Sequence, residues 1–324
     1  MMNGMDARRE EIIAWLNGIP AFTGGTLTTA SADASFRRYF RLTKGGDTFV
    51  VMDAPPEKEP CEPFVRIALR LREADVHVPE IYAQDLKRGY LVLSDFGDLH
   101  YQEALEGDNR EGLYDQALAE ILKFQTGLRS QTEDLPVYDE DWIRMELEIF
   151  REWCLPDFPK DEYGALVSPL VEAFGEQPQT FVHRDFHCRN LLLPADGCIG
   201  VIDFQGAMRG PVTYDPVSLL RDCYVDNDEN WIRRKALAHK QALEAAEFLP
   251  ADLPDETFLR WLDLTGLQRH LKCVGIFHRL SQRDGKHGYL GDVPRVLRYA
   301  KQVLNHRPEL VDLAAAVKQA KLAV

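Results

Sequence analysis

The sequence has no long apolar run and a shortage of positive charge, and both limit what the protein can do. No stretch approaches the roughly 18 consecutive apolar residues of a membrane-spanning helix. Residues 1–15 carry five charges and lack the apolar core of a signal peptide. Lys and Arg number 38 against 52 Asp and Glu, a formal net charge of −14. This balance opposes binding to nucleic acid or to an anionic membrane, and we expect neither as a partner.

Paired cysteines are also missing. The six cysteines are scattered, and none forms a Cys-x-x-Cys pair. This arrangement favours free thiols in a reducing compartment, so we expect a cytoplasmic protein. The 324 residues, 45% of them apolar, are enough for two lobes that each bury a core.

The pattern of apolar residues predicts strands near the N-terminus and helices after it. Strands are expected around 26–29, 40–42, 48–53, 78–82 and 89–94. Helices are expected over 6–17, 60–74, 108–128, 142–153, 166–174, 217–224, 231–248 and 258–283, with one or two more over 295–323. Asp255 is expected to cap the helix over 258–283.

The stretch from Phe181 to Tyr224 contains the chemistry. Two apolar segments, 190–193 and 199–202, flank the turn 194–197 and predict a β-hairpin. His183, Asp185 and Asn190 lie before or at the start of the first strand. Asp203 ends the second strand, 18 residues after Asp185.

This spacing suits phosphoryl transfer, which depends on positioning and charge neutralisation more than on covalent chemistry. One carboxylate must orient the attacking hydroxyl and accept its proton. Oxygen ligands must hold Mg²⁺ against the phosphates, because hard cations prefer oxygen. The His183-Arg184-Asp185 motif with Asn190, followed by Asp203, matches the pairing of a kinase catalytic loop with a metal-binding loop.

With these motifs and the following Tyr214-Asp215-Pro216 segment, the chain resembles the aminoglycoside phosphotransferase family. The resemblance implies an α+β, bilobal protein-kinase-like fold. Residues 1–94 would form a small β-rich N-terminal lobe, and residues 95–324 a larger, mostly helical C-terminal lobe. It also implies site roles: Asp185 as catalytic base, His183 as the structural histidine of the catalytic loop, Asn190 and Asp203 as Mg²⁺ ligands, and Asp215 as a support for that loop. Because no Ala-Pro-Glu segment follows, a peptide substrate is not expected.

ATP is expected between the lobes. The segment around Leu93 matches the family's inter-lobe hinge, where backbone groups contact the adenine edge. The segment around Arg37 takes the place of the phosphate-covering loop, although it contains no glycine. The nucleotide-binding residues implied by the resemblance are Ser35, Phe36, Arg37, Arg38, Leu93, Ser94, Asp95, Phe96, Leu192 and Ile202.

One expected residue is missing. In the family a lysine near the end of the third strand contacts the phosphates, but here that strand ends in Met52 and Asp53. Either Arg37 or Arg38 supplies the charge, or nucleotide binding is weakened. A nucleotide-binding pseudokinase therefore stays open as an alternative.

Residues 32–41 and 52–57 are similar to one branch of the family, the anomeric kinases for N-acetylmuramate and N-acetylglucosamine in peptidoglycan recycling. The strand without lysine is a feature of that branch. The expected protein is a monomeric enzyme that uses ATP and Mg²⁺ on a small sugar. Arginines suit carboxylate recognition, so Arg189, Arg209 and Arg221 are candidates for contacting the sugar, the last two for pairing with the lactyl carboxylate. A kinase of homoserine, choline or an aminoglycoside is the other open alternative.

Overall fold

A computed structural model describes residues 4–32, 36–320 and 322. The N-terminal lobe is formed by α1 (Gly4–Asn17), β1 (Thr26–Ala32), β2 (Arg38–Lys44), β3 (Asp47–Asp53), α2 (Glu62–Glu73), β4 (Ile81–Asp85) and β5 (Tyr90–Ser94). The C-terminal lobe begins with α3 (Tyr101–Ala104), α4 (Arg110–Gly127), α5 (Glu140–Cys154), α6 (Lys160–Leu166) and α7 (Ser168–Gly175). It continues with β6 (Gln179–Val182), β7 (Leu191–Leu192), β8 (Gly200–Val201), β9 (Met208–Pro211), α8 (Tyr214–Leu220), α9 (Glu229–Ala245), α10 (Asp255–Asp284), α11 (Val293–His306) and α12 (Val311–Val317).

The N-terminal lobe is built on an antiparallel sheet with strand order β1-β2-β3-β5-β4. Side chains alternate between the two faces of a strand. Val51 packs with Ile12 of α1 on one face, whereas Met52 packs with Phe64 of α2 on the other. Because both faces are covered, the apolar run in β3 is continuous.

One apolar core joins the two lobes. Phe64 and Ile67 of α2 belong to the same buried cluster as Ile121 of α4 and Phe181 of β6. The ring of Phe64 lies 4.8 Å, centroid to centroid, from that of Phe204, directly after Asp203. Packing of α2 therefore fixes the sheet against the segment that carries the predicted metal ligand.

The 30-residue helix α10 lies at the centre of the C-terminal lobe. Gly275 lets it approach α5 closely, because a Cβ at that position would lie 2.7 Å from the Cα of Phe150. The helix begins one turn earlier than predicted, after Pro254, so Asp255 is not its cap. Asp255 lies in the first turn, where a negative charge interacts favourably with the helix dipole. Within the described ranges, no helix combines the length and apolarity needed to cross a membrane.

The predicted hairpin is present, with β7 and β8 paired antiparallel. The helix predicted over 217–224 is displaced: α8 begins at Tyr214 and ends at Leu220. Asp222 explains its early end, because its carboxylate accepts hydrogen bonds from the backbone N–H groups of Cys188 and Tyr224, both at 2.8 Å. These bonds take the chain out of the helix and connect it to the loop before β7.

Candidate active site

The loop from His183 to Asn190 joins β6 to β7. Asp215 of α8 supports this loop through two hydrogen bonds. The Asp215 carboxylate accepts hydrogen bonds from the backbone N–H of His183 at 2.7 Å and of Arg184 at 3.1 Å. Burial raises the pKa of Asp215 to about 7, although both N–H groups favour its charged form. Arg184 has a φ of 77°, which few non-glycine residues adopt. The two bonds therefore hold a conformation that the local sequence does not favour.

His183 connects this loop to the end of β8. Its Nε2 lies 3.1 Å from the carbonyl oxygen of Ile202. A carbonyl only accepts, so Nε2 carries the proton and donates. Burial lowers the pKa of His183 to about 4, so the ring is neutral at pH 7. His183 therefore connects the loop over 183–190 to the segment that follows β8, which is a structural position.

Asp185 is partly buried among positive charges. Burial alone raises the pKa of its carboxyl group, but nearby cations, of which Lys272 has the largest effect, lower it to about 2. Asp185 is therefore ionised at neutral pH. An ionised carboxylate can accept a hydrogen bond from a hydroxyl group placed beside it.

Asn190 and Asp203 meet at the base of the hairpin. Nδ2 of Asn190 donates to the carbonyl oxygen of Asp185 at 3.0 Å and to Oδ2 of Asp203 at 3.3 Å. Asp203 has a φ of 63°, and Nε2 of Gln205 donates to its Oδ1 at 2.6 Å. Both residues line the cleft between the lobes.

The oxygen atoms of Asn190 and Asp203 could hold Mg²⁺, which prefers carboxylate and amide oxygens. Among the described residues, no three His, Cys, Asp or Glu side chains converge to form a metal cluster. The donors present therefore fit a cation that completes its coordination with phosphate oxygens and water.

A cavity of about 380 Å³ lies between the lobes. Val50 and Phe64 contribute apolar surface, and Asn190 and Asp203 contribute polar surface. The residues expected from the hinge and the hairpin all line it: Leu93, Ser94, Asp95, Phe96, Leu192 and Ile202. The cavity offers both an apolar surface and the polar groups that a nucleotide requires.

In the segment expected to cover the phosphates, none of the residues that the structure describes lines this cavity. Ser35 lies outside the described residues. Arg37 pairs with Glu59 at 2.8 Å, which also accepts from the backbone N–H of Phe36 at 3.2 Å. Nε of Arg38 donates to the fully buried carboxylate of Asp53 at 2.9 Å. In this structure Arg37 and Arg38 bind carboxylates of their own lobe, which differs from the expectation that they face phosphates.

The end of β3, where the lysine is missing, is apolar on the face that points toward the cleft. Val50 lines the cavity, and Met52, two residues on and on the same face of β3, is 0% exposed. Met52 packs in the apolar cluster that contains Phe64 and Phe204. The inner face of β3 is therefore apolar at the cleft. Asp53, on the opposite face, is bound by Arg38 and by Arg8, whose Nε donates at 3.0 Å.

Arg41 is a cleft residue that sequence analysis missed. It projects from β2 into the cavity, where Nε donates to Asp95 at 2.6 Å and Nη1 donates to Asp98 at 2.8 Å. These bonds connect the sheet to the segment after β5. Tyr39 and Arg41 lie on the same face of β2, but the strand pattern alone does not show that Arg41 contacts Asp95, which is 54 residues away in the chain.

The three arginines predicted to contact substrate lie in different places. Arg221 is 1% exposed, and its Nη2 donates to Glu229 and Asp263, both at 2.7 Å. This corrects the prediction, because a buried guanidinium bound by two carboxylates is not available to a substrate. Arg189 lines the inter-lobe cavity, 3.5 Å above the Tyr224 ring. Arg209 lies in β9, paired with Phe181 of β6.

A second group of charged residues, also missed from the sequence, centres on Glu146 of α5. Glu146 is 3% exposed. Its Oε1 accepts from Lys272 at 2.9 Å, Trp142 at 3.2 Å and Arg184 at 3.3 Å, and its Oε2 accepts from Gln268 at 3.0 Å and from Tyr138. Burial opposes ionisation of Glu146, but these partners, of which Lys272 has the largest effect, lower its pKa. The group joins α5 and α10 to the loop over 183–190 through Arg184.

Comparison with known proteins shows the family of this chain. Residues 26–249 match the model of a family described as the phosphotransferase enzyme family, APH. A protein from Pseudomonas putida named N-acetylmuramate/N-acetylglucosamine kinase is 41% identical, covering 97% of this chain and 97% of its own length. A protein of the same name from Pseudomonas aeruginosa is 42% identical, covering 95% of each.

The fold is also that of solved kinases. Choline kinase LicA from Streptococcus pneumoniae has a TM-score of 0.62 at 11% identity, covering 93% of this chain and 100% of that one. At this level of identity the likeness concerns the fold alone. It confirms the predicted bilobal protein-kinase-like architecture, and the family match confirms the predicted resemblance.

Proposed function

Because the chain belongs to the phosphotransferase enzyme family, we propose that it is an ATP-dependent kinase of the anomeric (C1) hydroxyl of N-acetylmuramate and N-acetylglucosamine. Two relatives named for these sugars are 41% and 42% identical over nearly the whole chain. Such a protein is a phosphotransferase with an alcohol acceptor that serves peptidoglycan recycling.

The arrangement of Asp185, Asn190 and Asp203 carries this proposal. Asn190 connects the two acids, since its Nδ2 contacts both the Asp185 backbone and the Asp203 carboxylate. Asp185 orients the C1 hydroxyl and accepts its proton as the phosphoryl group is transferred. A carboxylate with a pKa of about 2 is a weak base, so orientation is the larger part of its role. This suits a transfer in which the attacking oxygen needs little activation.

Asn190 and Asp203 would hold Mg²⁺ beside the phosphates of ATP. When bound, this cation neutralises charge that develops on the phosphate oxygens. The adenine would lie against the hinge segment Leu93–Phe96, with Leu192 and Ile202 beneath it. Since the reaction consumes ATP, we also propose a cytoplasmic location. We also propose that the protein is a monomer. The boundary between its two lobes is proposed to lie between residues 94 and 95.

The test is ADP release from Mg²⁺-ATP with a panel of acceptors: N-acetylmuramate, N-acetylglucosamine, homoserine, choline and kanamycin. We expect turnover with the two amino sugars alone. Turnover only with another compound would support phosphotransferase activity but contradict the proposed amino-sugar substrates. If no acceptor is used while ATP still binds in a thermal-shift assay, the pseudokinase alternative is favoured.

A further inference from the structure

The proposed substrates differ at one group, and this inference rests on the proposed function. N-acetylmuramate carries a lactyl carboxylate that N-acetylglucosamine lacks. A binding site for both sugars needs a cation for the carboxylate. It must also give that cation a partner when the neutral sugar is bound, because a partly buried unpaired charge is costly.

Arg184 is placed to meet both needs. Its side chain is 22% exposed, and it precedes Asp185 in the chain. Its guanidinium carbon lies 5.4 Å from the centroid of the Trp142 ring. Its Nη1 lies 3.7 Å from where a Cβ of Gly206 would be, a van der Waals distance, so the absence of a side chain at Gly206 leaves space for about one methyl group beside the guanidinium. Its Nε is buried and has no hydrogen-bond partner among the described residues.

The bond of Arg184 to Glu146 can be given up at small cost. At 3.3 Å it is the longest of the contacts that Glu146 accepts. Without it, Glu146 keeps the charged Lys272 at 2.9 Å and the donors Trp142, Tyr138 and Gln268. The carboxylate therefore stays neutralised when Arg184 turns to another acceptor.

Arg41, Arg221 and Lys272 are less suited. Arg41 is bound by two aspartates, at 2.6 and 2.8 Å, and Arg221 is buried between two carboxylates. Lys272 is 8% exposed, and its bond to Glu146, at 2.9 Å, is shorter than the 3.3 Å bond of Arg184. We propose that Arg184 determines specificity: its guanidinium exchanges Glu146 for the lactyl carboxylate of N-acetylmuramate and stays on Glu146 when N-acetylglucosamine binds.

The experiment measures kcat/KM for N-acetylmuramate, for its lactyl amide (an uncharged analogue of the same shape) and for N-acetylglucosamine. Wild type is compared with Arg184→Gln and with Arg144→Gln, a control on α5 that removes an arginine paired with Glu140 at 2.7 Å. In Arg184→Gln we expect the preference for N-acetylmuramate over its amide to fall about 10- to 100-fold, as for loss of a hydrogen bond between charged groups. Arg144→Gln should keep the preference.

Three results would overturn the assignment. The first is an equal loss with all three sugars, which would make Arg184 a support for Asp185 only. The second is an unchanged preference in Arg184→Gln. The third, which does not depend on a folded variant, is equal kcat/KM for the acid and the amide in wild type. Failure of the proposed function is distinct, because wild type would then phosphorylate none of the sugars.

Discussion

The carboxylate of Asp215 lies 2.7 Å from the backbone nitrogen of His183 and accepts its hydrogen bond. This bond, with a second one to the next residue at 3.1 Å, supports the loop over 183–190 from the side of α8. Asp185, which follows two residues after His183, therefore depends on a group in another element for its position. We propose that Asp215 is a positioning residue.

Replacing Asp215 with asparagine removes one acceptor oxygen and places an NH₂ group against a backbone N–H. We expect kcat to fall about 10- to 100-fold, because a small displacement of a catalytic group costs alignment. The KM for ATP should stay within about twofold. Steady-state kinetics test this against Ser218→Ala on the same helix, where Oγ has no hydrogen-bond partner among the described residues. Equal effects of the two substitutions would argue against the positioning role.

Asp203→Asn keeps the shape of the proposed metal ligand and removes its charge. We expect at least about a 100-fold loss of kcat and a higher Mg²⁺ concentration at half-maximal rate, because Asp203 is the only charged residue of the two proposed protein ligands. Asp196→Asn is the control. Asp196 lies in the hairpin turn, where it accepts from the backbone N–H of Cys198 at 2.9 Å. An unchanged Mg²⁺ dependence in Asp203→Asn would remove it from the metal site.

Met52→Lys tests whether β3 can carry a lysine at position 52 in place of an apolar side chain. We expect the free energy of unfolding to fall by about 3 kcal/mol or more, because the ammonium group would enter an apolar cluster without a partner. ATP affinity should not improve. Chemical denaturation and nucleotide titration measure the two effects, with Met52→Leu as the volume-conserving control. Tighter ATP binding by a variant of normal stability would show that a lysine is tolerated there.

Buried neutral histidines predict how stability depends on pH. Burial lowers the pKa of His183 and of His239 to about 4, and of His270 to about 3, from an ordinary value of 6.5. Between about pH 6.5 and 4 the unfolded chain binds protons that the folded chain does not. Stability should therefore fall as the pH drops through this window, by up to about 3 kcal/mol for each group.

Urea unfolding at several pH values measures this slope. His239→Gln is the informative variant, since His239 lies on α9 and its Nε2 contacts Gln125 at 2.9 Å, away from the catalytic loop. In this variant the slope of the free energy of unfolding against pH should decrease by the equivalent of about one bound proton. An identical slope in wild type and variant would mean that His239 is protonated in the folded chain.

The parts of the site that could be predicted from the sequence are those close together in the chain. Asp185 and Asn190 lie in the loop before the β7–β8 hairpin and Asp203 lies directly after it, so the short hairpin brings the three residues close together. Leu93 and Phe96 line the cavity as predicted, because a strand followed by an acidic turn has one position in the implied fold.

Contacts between distant segments could not be predicted in this way. Gln268 and Glu146 are 122 residues apart, and Arg221 and Asp263 are 42 residues apart. Periodicity indicates that α10 is a helix, but a charged residue on a helix looks the same whether it faces solvent or a buried carboxylate. The error at Arg221 has this origin, since its partners come from helices that pack on it only in the folded protein.

In the proposed reaction, Asp185 directs phosphate onto the anomeric hydroxyl of an amino sugar. The direct measurement is phosphorus and proton NMR of the product formed from N-acetylglucosamine and Mg²⁺-ATP by wild type and by Asp185→Asn. We expect a phosphate coupled to the anomeric proton, with loss of the free reducing end, and a rate at least about 100-fold lower in the variant. Phosphate on another hydroxyl, or an unchanged rate in Asp185→Asn, would contradict the account.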